Sequence, residues 1–317
     1  MNSNKIVDRF GFGCVALTMF KDKKDALKML DIAFDQGVVH FDVARVYGMG
    51  YAESILGEFL KNKRDKVTIT TKFGLNPPST PAGGINLNLL LKLKKAIQQY
   101  PAFYKLIRRN VTYQKPSLVS PYSASAAQKS IHKSLAELKT DYIDYLLLHE
   151  ATIADANDGA LVEYLERMKK DGIILNYGIG SDYNKYENDC LNFPAQFSIF
   201  QFEHSICHPN IYSLKNADSK LIFAHSVFKH LKKIKSSLDT NQLIAREISD
   251  ILNKDISNIQ NLCGFLLSTA SDDIDNLKLS GKIIFSTTSK ENLIGNLRAF
   301  EATQPNQKAY ELIRSIL

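Results

Sequence analysis

The amino-acid sequence predicts an α/β fold, and within that class a closed (β/α)8 TIM barrel. Eight short apolar runs rich in β-branched residues occur along the 317 residues, and each is followed by a helical or turn-rich stretch. Strands that alternate with helices pair in parallel through right-handed crossovers. Eight such units in one chain favour a closed barrel over an open sheet, and we expect residues 1–317 to form a single domain.

The predicted elements alternate along the whole chain. Strands are predicted at residues 12–17, 38–42, 67–72, 143–149, 173–178, 197–201, 221–224 and 282–286. Helices are predicted at residues 25–36, 52–61, 125–138, 161–170, 241–252 and 290–300. The first helix shows the pattern, because its apolar residues recur at helical spacing and Gly37 follows its last turn.

The composition is that of a globular protein with a large core. Hydrophobic residues make up 44% and charged residues 23%, which excludes a disordered or collagen-like chain. No apolar run approaches the ~18 residues of a transmembrane helix, and the first ten residues lack the apolar stretch of a signal peptide. The four cysteines form no CxxC pair, so we expect reduced thiols in a cytoplasmic protein, without a zinc or disulfide framework.

One segment departs from the alternation of strands and helices. Residues 75–122 begin with a loop rich in proline and glycine, continue into a predicted short helix at 89–99, and end in an aromatic and basic stretch. Residues 73–122 hold seven of the 40 Lys and Arg side chains and no acidic residue, so the net charge of +7 arises there.

This basic insertion has several interpretations. The simplest is a solvent-exposed excursion, and the others are a site for an anionic substrate or a membrane-surface contact through the amphipathic residues 89–97. Nucleic-acid binding is disfavoured, because no known binding motif accompanies the charge. Salt dependence of substrate binding and co-sedimentation with lipid would separate these interpretations.

Polar residues lie at or just after the ends of three successive predicted strands. Asp42 ends the second strand, and Tyr47 follows five residues later. Lys72 ends the third strand and His149 ends the fourth. Because the carboxyl ends of barrel strands meet at one rim, we expect these four side chains to converge there.

This set of side chains suits the reduction of a carbonyl group by hydride transfer. A tyrosine hydroxyl, with an ordinary pKa of about 10, needs a neighbouring ammonium group to favour its ionised form. A carboxylate holds the lysine and keeps it charged, while a histidine orients the carbonyl or shares the proton. Each residue alone also has an ordinary structural interpretation, such as a turn cap or a salt bridge, but their joint placement favours catalysis.

The residues around these positions resemble the aldo-keto reductase family. The segment 41–53, followed by Leu56 and Gly57, is similar to the family's signature of an aspartate, a Tyr-Gly pair, a glutamate and Leu-Gly. Residues 70–74 and 141–149 resemble its lysine and histidine motifs. The resemblance covers nearly the whole chain except about residues 75–122. It implies a catalytic tetrad of Asp42, Tyr47, Lys72 and His149 with Tyr47 as the proton donor, and it points to small aldehydes, ketones or sugars as substrates.

The resemblance also implies a nicotinamide dinucleotide cofactor. A Rossmann site is disfavoured, because the glycines at 178 and 180 lack the third glycine of that motif. A barrel can instead bind phosphate with the loop after its eighth strand and the following helix. The cofactor contacts that the resemblance implies are Asp42, Ser181, Gln201, His225, Ser226, Ser286, Thr287, Thr288, Lys290 and Asn296.

The choice between NADP(H) and NAD(H) stays open at this level. NADP(H) is favoured by the family as a whole. Family members that hold a 2′-phosphate often place Lys or Arg around positions 286, 288 and 292, and this chain has uncharged residues at all three. Only Lys290 remains nearby. His225 stands where the family usually has the tyrosine that stacks on the nicotinamide.

Two other functions remain open from the sequence. The first is a regulatory or interaction protein that keeps the fold and the cofactor but turns over little. The second is a lyase or isomerase that uses Lys72 for a Schiff base, which a neighbouring Asp42 opposes by keeping the lysine protonated. No metal is expected, because no group of His, Cys or Asp has the spacing of a ligand set in the sequence.

Overall fold

Eight parallel strands close into a barrel in which each strand pairs with its neighbours in sequence order. The structure is a computed structural model that describes residues 9–75, 122–186 and 189–317. The strands are β1 Phe10–Gly13, β2 His40–Asp42, β3 Thr68–Phe73, β4 Ile143–His149, β5 Ile174–Gly180, β6 Ile199–Glu203, β7 Leu221–His225 and β8 Ser280–Phe285. The predicted (β/α)8 barrel is therefore confirmed.

Ten α-helices lie within the described residues. They are α1 Lys23–Asp35, α2 Tyr51–Phe59, α3 Ala124–Leu138, α4 Ile153–Ala156, α5 Gly159–Lys170, α6 Leu231–Thr240, α7 Gln242–Leu252, α8 Ile259–Asn276, α9 Lys290–Ala302 and α10 Gln307–Ser315. None of these described helices is long and apolar enough to cross a membrane.

The barrel interior is filled by side chains and forms no pore. Leu147, Ile199, Phe223 and Ile284 make a small apolar cluster of their own inside it. Buried His40 lies beside this cluster, with its ring centroid 4.9 Å from that of Phe223. The two ring nitrogens of His40 lie 2.9 and 3.2 Å from the hydroxyls of Thr68 and Thr70. A larger core lies between the strands and the surrounding helices.

The register of the sheet brings the carboxyl ends of the strands to one rim. Asp42 is level with Gly13 of β1 and with Thr70 of β3. On the other side of the barrel, Gly180 is level with both His149 and Gln201. The polar residues predicted at strand ends therefore reach a common level of the barrel.

The first predicted strand is wrong in its position. Residues 12–17 were expected to form it, but β1 ends at Gly13 and Cys14–Met19 forms a 3-10 helix. A short apolar run does not by itself distinguish a strand from a buried turn. Here Cys14, Ala16 and Leu17 are buried while Val15 and Met19 are exposed, so the apolar residues face the core from a helical turn.

Four of the described helices were not predicted, namely α4, α6, α8 and α10. Helix α8 is buried all around its central turns, residues 262–271, so its sequence shows no clear amphipathic stripe there. The other predicted helices are present within one or two residues at each end, apart from the helix at 89–99, which lies outside the described residues.

Gly57 lies where α2 meets α3, and this contact generates a stability prediction. A Cβ atom at position 57 would lie 2.1 Å from the carbonyl oxygen of Glu137, which is backbone and cannot move aside. We expect Gly57→Ala to destabilise the fold by about 1–3 kcal/mol, as overpacking does elsewhere. Thermal or urea unfolding followed by circular dichroism would measure the change.

Gly159→Ala is the matched control for this substitution. A Cβ atom at Gly159, the first residue of α5, would meet nothing within 4 Å. Alanine there should leave stability unchanged or raise it by up to about 1 kcal/mol. Equal effects of the two substitutions would contradict the tight packing of α2 against α3.

Candidate active site

The four residues expected to act together line one cleft at the carboxyl-end rim of the barrel. The cleft has a volume of ≈ 400 Å³. Its walls include Asp42, Tyr47, Lys72, His149, Ser181, Gln201, His225, Ser226 and Ser286, all of which the sequence had indicated. Other lining residues were not foreseen, among them Gly13, Val15, Glu150, Val227, Phe228 and Lys229.

A buried ion pair forms the floor of the cleft. Nζ of Lys72 donates to Oδ1 of Asp42 at 2.6 Å and to the carbonyl oxygen of Val43 at 3.2 Å. The second oxygen of Asp42 accepts from Nε2 of Gln201 at 2.8 Å. Each of the three side chains therefore has a defined partner, and the lysine position is fixed by both β2 and β3.

The environment keeps Lys72 protonated. Burial lowers the pKa of a lysine, but the charges of Asp42 and Tyr47 outweigh it here, so that the pKa of Lys72 is raised above its ordinary value. A protonated amine is a poor nucleophile. This charge state therefore disfavours the Schiff-base alternative and favours an electrostatic task for the lysine.

Tyr47 stands on a tight turn between β2 and α2. The turn uses left-handed backbone angles at Gly48, Met49 and Gly50. It is anchored below by Glu53, which is fully buried and binds Nη1 of Arg45 at 2.5 Å. The other carboxylate oxygen of Glu53 accepts from the hydroxyl of Thr71 on β3 at 2.7 Å. Glu53 thus fastens the tyrosine turn to the strand that carries Lys72.

The Tyr47 ring lies between Lys72 and His149. Nζ of Lys72 is 5.5 Å from its ring centroid, and the His149 ring meets it edge to face at 6.2 Å. Burial raises the pKa of Tyr47, and the lowering by Lys72 does not overcome it. The sequence indicated that Lys72 lies near Tyr47 but not how far Tyr47 is buried. It therefore predicted a lower pKa for the Tyr47 hydroxyl than the structure indicates.

His149 is neutral at physiological pH. Burial is the main cause that lowers its pKa to about 3, and the charge of Lys72 lowers it further. Its Nδ1 has no hydrogen-bond partner among the described residues. A neutral imidazole in this position can hydrogen-bond to a substrate oxygen but cannot serve as a cation.

Contacts made by Tyr122 connect the ends of β3 and β4 next to His149. The hydroxyl of Tyr122 donates to the carbonyl oxygen of His149, and the Tyr122 ring packs on Phe73 with 6.2 Å between centroids. Gly74 has φ 110°, and a Cβ atom there would lie 2.0 Å from the Tyr122 ring. Glycine is therefore required where β3 leaves the barrel. The basic insertion itself lies almost entirely outside the described residues.

The wall opposite Tyr47 is built from the ends of β5, β6 and β7. The hydroxyl of Ser181 donates to the carbonyl oxygen of Ala151 at 2.9 Å, which orients its side chain. Nδ1 of His225 lies 2.8 Å from the hydroxyl of Ser226. Burial lowers the pKa of His225, which therefore presents a neutral ring to the cleft.

The loop between β8 and α9 extends from the cleft outwards. Ser286 lines the cleft, whereas Thr287, Thr288, Lys290 and Asn296 do not. The hydroxyl of Thr287 accepts from the backbone N–H of Ser289 at 3.1 Å, and Asn296 is buried within α9. The hydroxyl of Ser289 caps α9 by accepting from the N–H of Asn292 at 3.1 Å.

Glu150 is the unforeseen acidic residue of the cleft. It directly follows His149 and has φ 63°, an uncommon angle for a residue other than glycine. Its carboxylate accepts from Nζ of Lys185 at 2.7 Å. Glu150 could have been predicted from the sequence, because polar residues just after a strand end lie at the same rim as the strand end itself.

Comparison with known proteins gives relatives along much of the chain. It is 30% identical over 201 residues to an uncharacterized oxidoreductase of Bacillus subtilis, YqkF, which covers 61% of this chain and 53% of that protein. It is 26% identical over 185 residues to a D-threo-aldose 1-dehydrogenase of a Pseudomonas species, covering 55% and 50%. The matches thus span about half the length of these curated relatives.

Solved structures and a family model extend the match to the whole barrel. An aldo-keto reductase of Bacillus halodurans in its holo form superposes with a TM-score of 0.67 at 19% identity, covering 97% of this chain and 91% of that one. One from Klebsiella pneumoniae, in complex with NADPH, gives 0.64 at 16% identity, covering 97% and 90%. The model of the aldo/keto reductase family matches residues 9–317. The chain belongs to the aldo/keto reductase family.

Proposed function

We propose that the protein is an NAD(P)-dependent oxidoreductase that interconverts a carbonyl compound and its alcohol, with Tyr47 as the general acid and base. One observation carries the proposal. A half-buried tyrosine lies in the cleft beside a protonated lysine, and the lysine is held by a buried carboxylate. That arrangement supplies a proton donor whose conjugate base is stabilised by a fixed positive charge.

The cleft fits a nicotinamide dinucleotide. Gly180 lines the cleft without a side chain, and a Cβ atom there would lie only 3.0 Å from Oε1 of Gln201. Ser181, Gln201 and His225 would hold the nicotinamide end. Ser286 and the backbone N–H of Lys290, at the positive end of α9, would hold the phosphates. When bound, this cofactor supplies or accepts a hydride.

The proton is then transferred and its donor stabilised by residues of the chain itself. In reduction the Tyr47 hydroxyl donates its proton to the oxygen of the substrate as negative charge develops there. The Lys72 ammonium stabilises the tyrosinate that remains, while Asp42 keeps the lysine in place. His149, neutral and with an unpartnered nitrogen among the described residues, is available to orient the substrate oxygen.

A small carbonyl compound or sugar is the substrate class we propose. The D-threo-aldose 1-dehydrogenase among the relatives supports a sugar, and Glu150 gives the cleft a carboxylate that can accept from hydroxyl groups. The two lysines that line the described cleft, Lys72 and Lys229, both face carboxylates. These described residues therefore give no separate support for an anionic substrate.

Tyr47→Phe tests the proposal directly. We expect turnover of an aldehyde panel to fall by about 10²–10⁴-fold, because proton transfer is lost while the ring remains. Fluorescence titration with NADPH and NADH should show cofactor binding close to that of the wild type. If the wild-type protein binds neither nucleotide, or if Tyr47→Phe keeps more than about a tenth of its turnover, the proposal is wrong.

Lys72→Met, alone and combined with Tyr47→Phe, tests whether Tyr47 and Lys72 act together. Lys72→Met should reduce turnover about as much as Tyr47→Phe. Since residues that act as a unit are not additive, the double variant should be little worse than either single variant. A wild-type protein that binds cofactor but reduces no carbonyl would instead favour a regulatory role.

The pH dependence of turnover follows from the two pKa shifts. The raised pKa of Tyr47 keeps its hydroxyl protonated up to at least about pH 10, so carbonyl reduction should be flat from about pH 5 to about 9. Alcohol oxidation needs the ionised tyrosine and should rise with pH. Because the pKa of His149 is about 3, no change is expected near pH 6.5. A fall in reduction centred near about pH 6.5, absent from a His149→Asn variant, would contradict this assignment.

Cofactor preference can be tested on the loop before α9 and on the first turn of α9. Ser286 and Asn292 are exposed, so a longer side chain fits at either position. Ser286→Lys or Asn292→Arg should shift the NADPH-to-NADH affinity ratio by about tenfold or more, since a charged contact to phosphate is worth roughly 1.5–3 kcal/mol. Ser286→Gln and Asn292→Gln are uncharged controls of comparable length. An unchanged ratio in both charged variants would mean that this loop does not hold the adenosine phosphate.

A further inference from the structure

We propose that Glu203, His208 and His230 form a binding site for a divalent transition-metal ion such as Zn²⁺. The site lies beside the active-site cleft, between the loop that follows β6 and the loop that follows β7. It does not depend on the proposed oxidoreductase activity, because none of its three residues lines the cleft.

The three side chains come from different parts of the sequence and meet at one point. Glu203 ends β6, His208 follows in the next loop, and His230 directly precedes α6. One donor atom of each residue lies within 4.8 Å of the other two. Tetrahedral zinc places neighbouring ligand atoms about 3.4 Å apart, so small side-chain rotations complete the site.

Two of the donor atoms lack, among the described residues, the hydrogen-bond partners that buried polar atoms normally have, and a bound cation would supply the missing contact. Oε1 of Glu203 and Nε2 of His230 are both buried and lack a hydrogen-bond partner within the described part of the chain. Nδ1 of His208 lies 3.2 Å from Oε1 of Glu203 in an orientation that makes no hydrogen bond. Buried polar atoms without partners are uncommon in native proteins. A shared metal ion satisfies all three at once.

The backbone fixes two of the three donors. His208 and Ser205 exchange backbone hydrogen bonds of 3.0 and 3.1 Å in a tight turn, and Nδ2 of Asn210 donates to the carbonyl oxygen of Glu203 at 2.7 Å. The His208 and His230 rings lie with 5.0 Å between centroids and their planes tilted by 44°. His208 is half exposed, which gives an ion access from solvent.

The donor set selects the class of ion. Two imidazoles and one carboxylate are a set that zinc uses, with a fourth position left for water. Calcium and magnesium prefer oxygen ligands and would therefore bind weakly to a site with two imidazoles. Lys229 contacts the other oxygen of Glu203, and its half-exposed side chain can turn away when an ion binds.

The proposed site departs from the sequence expectation that no metal binds. That expectation relied on ligand spacing along the chain, and here the barrel itself supplies the proximity. Glu203 is level with His225 in the pairing of β6 with β7, which brings the two following loops together.

Titration of the full-length protein with ZnCl₂ tests the proposal. The protein is made without a histidine tag, stripped with a chelator, and studied by isothermal titration calorimetry. We expect one equivalent of Zn²⁺ to bind. Loss of even an outer-shell partner weakens a metal site by about 10–100-fold, so His208→Ala and His230→Ala should each weaken binding by at least about tenfold. Titration with Co²⁺ should show a visible absorption band that both variants lose.

The controls are two residues that could bind zinc independently of the site. His132→Ala, on the exposed face of α3, and Cys207→Ser, next to His208, should both bind Zn²⁺ as the wild type does. Circular dichroism confirms that each variant is folded. Absence of binding by the wild type, unchanged binding in either histidine variant, or loss of binding in Cys207→Ser would overturn the proposal.

Discussion

The buried ion pair of Lys72 and Asp42 is the interaction on which the rest of the site depends. Both side chains are at most 5% exposed, and removing one partner from such a pair strands a charge at a cost of about 3–5 kcal/mol. The pair joins β2 to β3, and Gln201 adds β6 from across the barrel. A shift of any of these three strands therefore alters the charge that faces the reacting groups.

Strand β3 connects two buried networks through the alternation of its side chains. Thr70 and Lys72 point to the barrel interior, where they meet His40 and Asp42. Thr71 points the other way, to the carboxylate of Glu53. Because successive residues of a strand face opposite sides, one strand positions the lysine and also anchors the turn that carries the tyrosine. The relative placement of the two groups is thereby set by a rigid element.

The part of the site that depends on strand ends was predictable from the sequence. Parallel strands bring their carboxyl ends to one rim, so the convergence of Asp42, Lys72 and His149 needs only the order of elements. The pKa of Tyr47 was not predictable in this way, because the degree of burial depends on how the surrounding walls close. The family resemblance is confirmed, whereas the catalytic and cofactor roles stay predictions.

The remaining differences have a common physical origin. The buried helix α8 lacks an amphipathic stripe, and the first strand is shorter than its apolar run because the same residues also suit a buried 3-10 turn. The pair of histidines with Glu203 arises from two loops that only the closed sheet brings together. Each feature is set by tertiary packing, which local sequence patterns do not record.

The contact between Gly74 and Tyr122 has a consequence for how this barrel can change. The chain leaves the rim at one of these residues and returns at the other, so the basic insertion starts and ends at a single point beside His149. The entropy of closing a loop grows only slowly with its length, so segments of very different size can be grafted between these two residues. The two described ends of the insertion are therefore held together, so its length can change without moving the strands that carry Lys72 and His149.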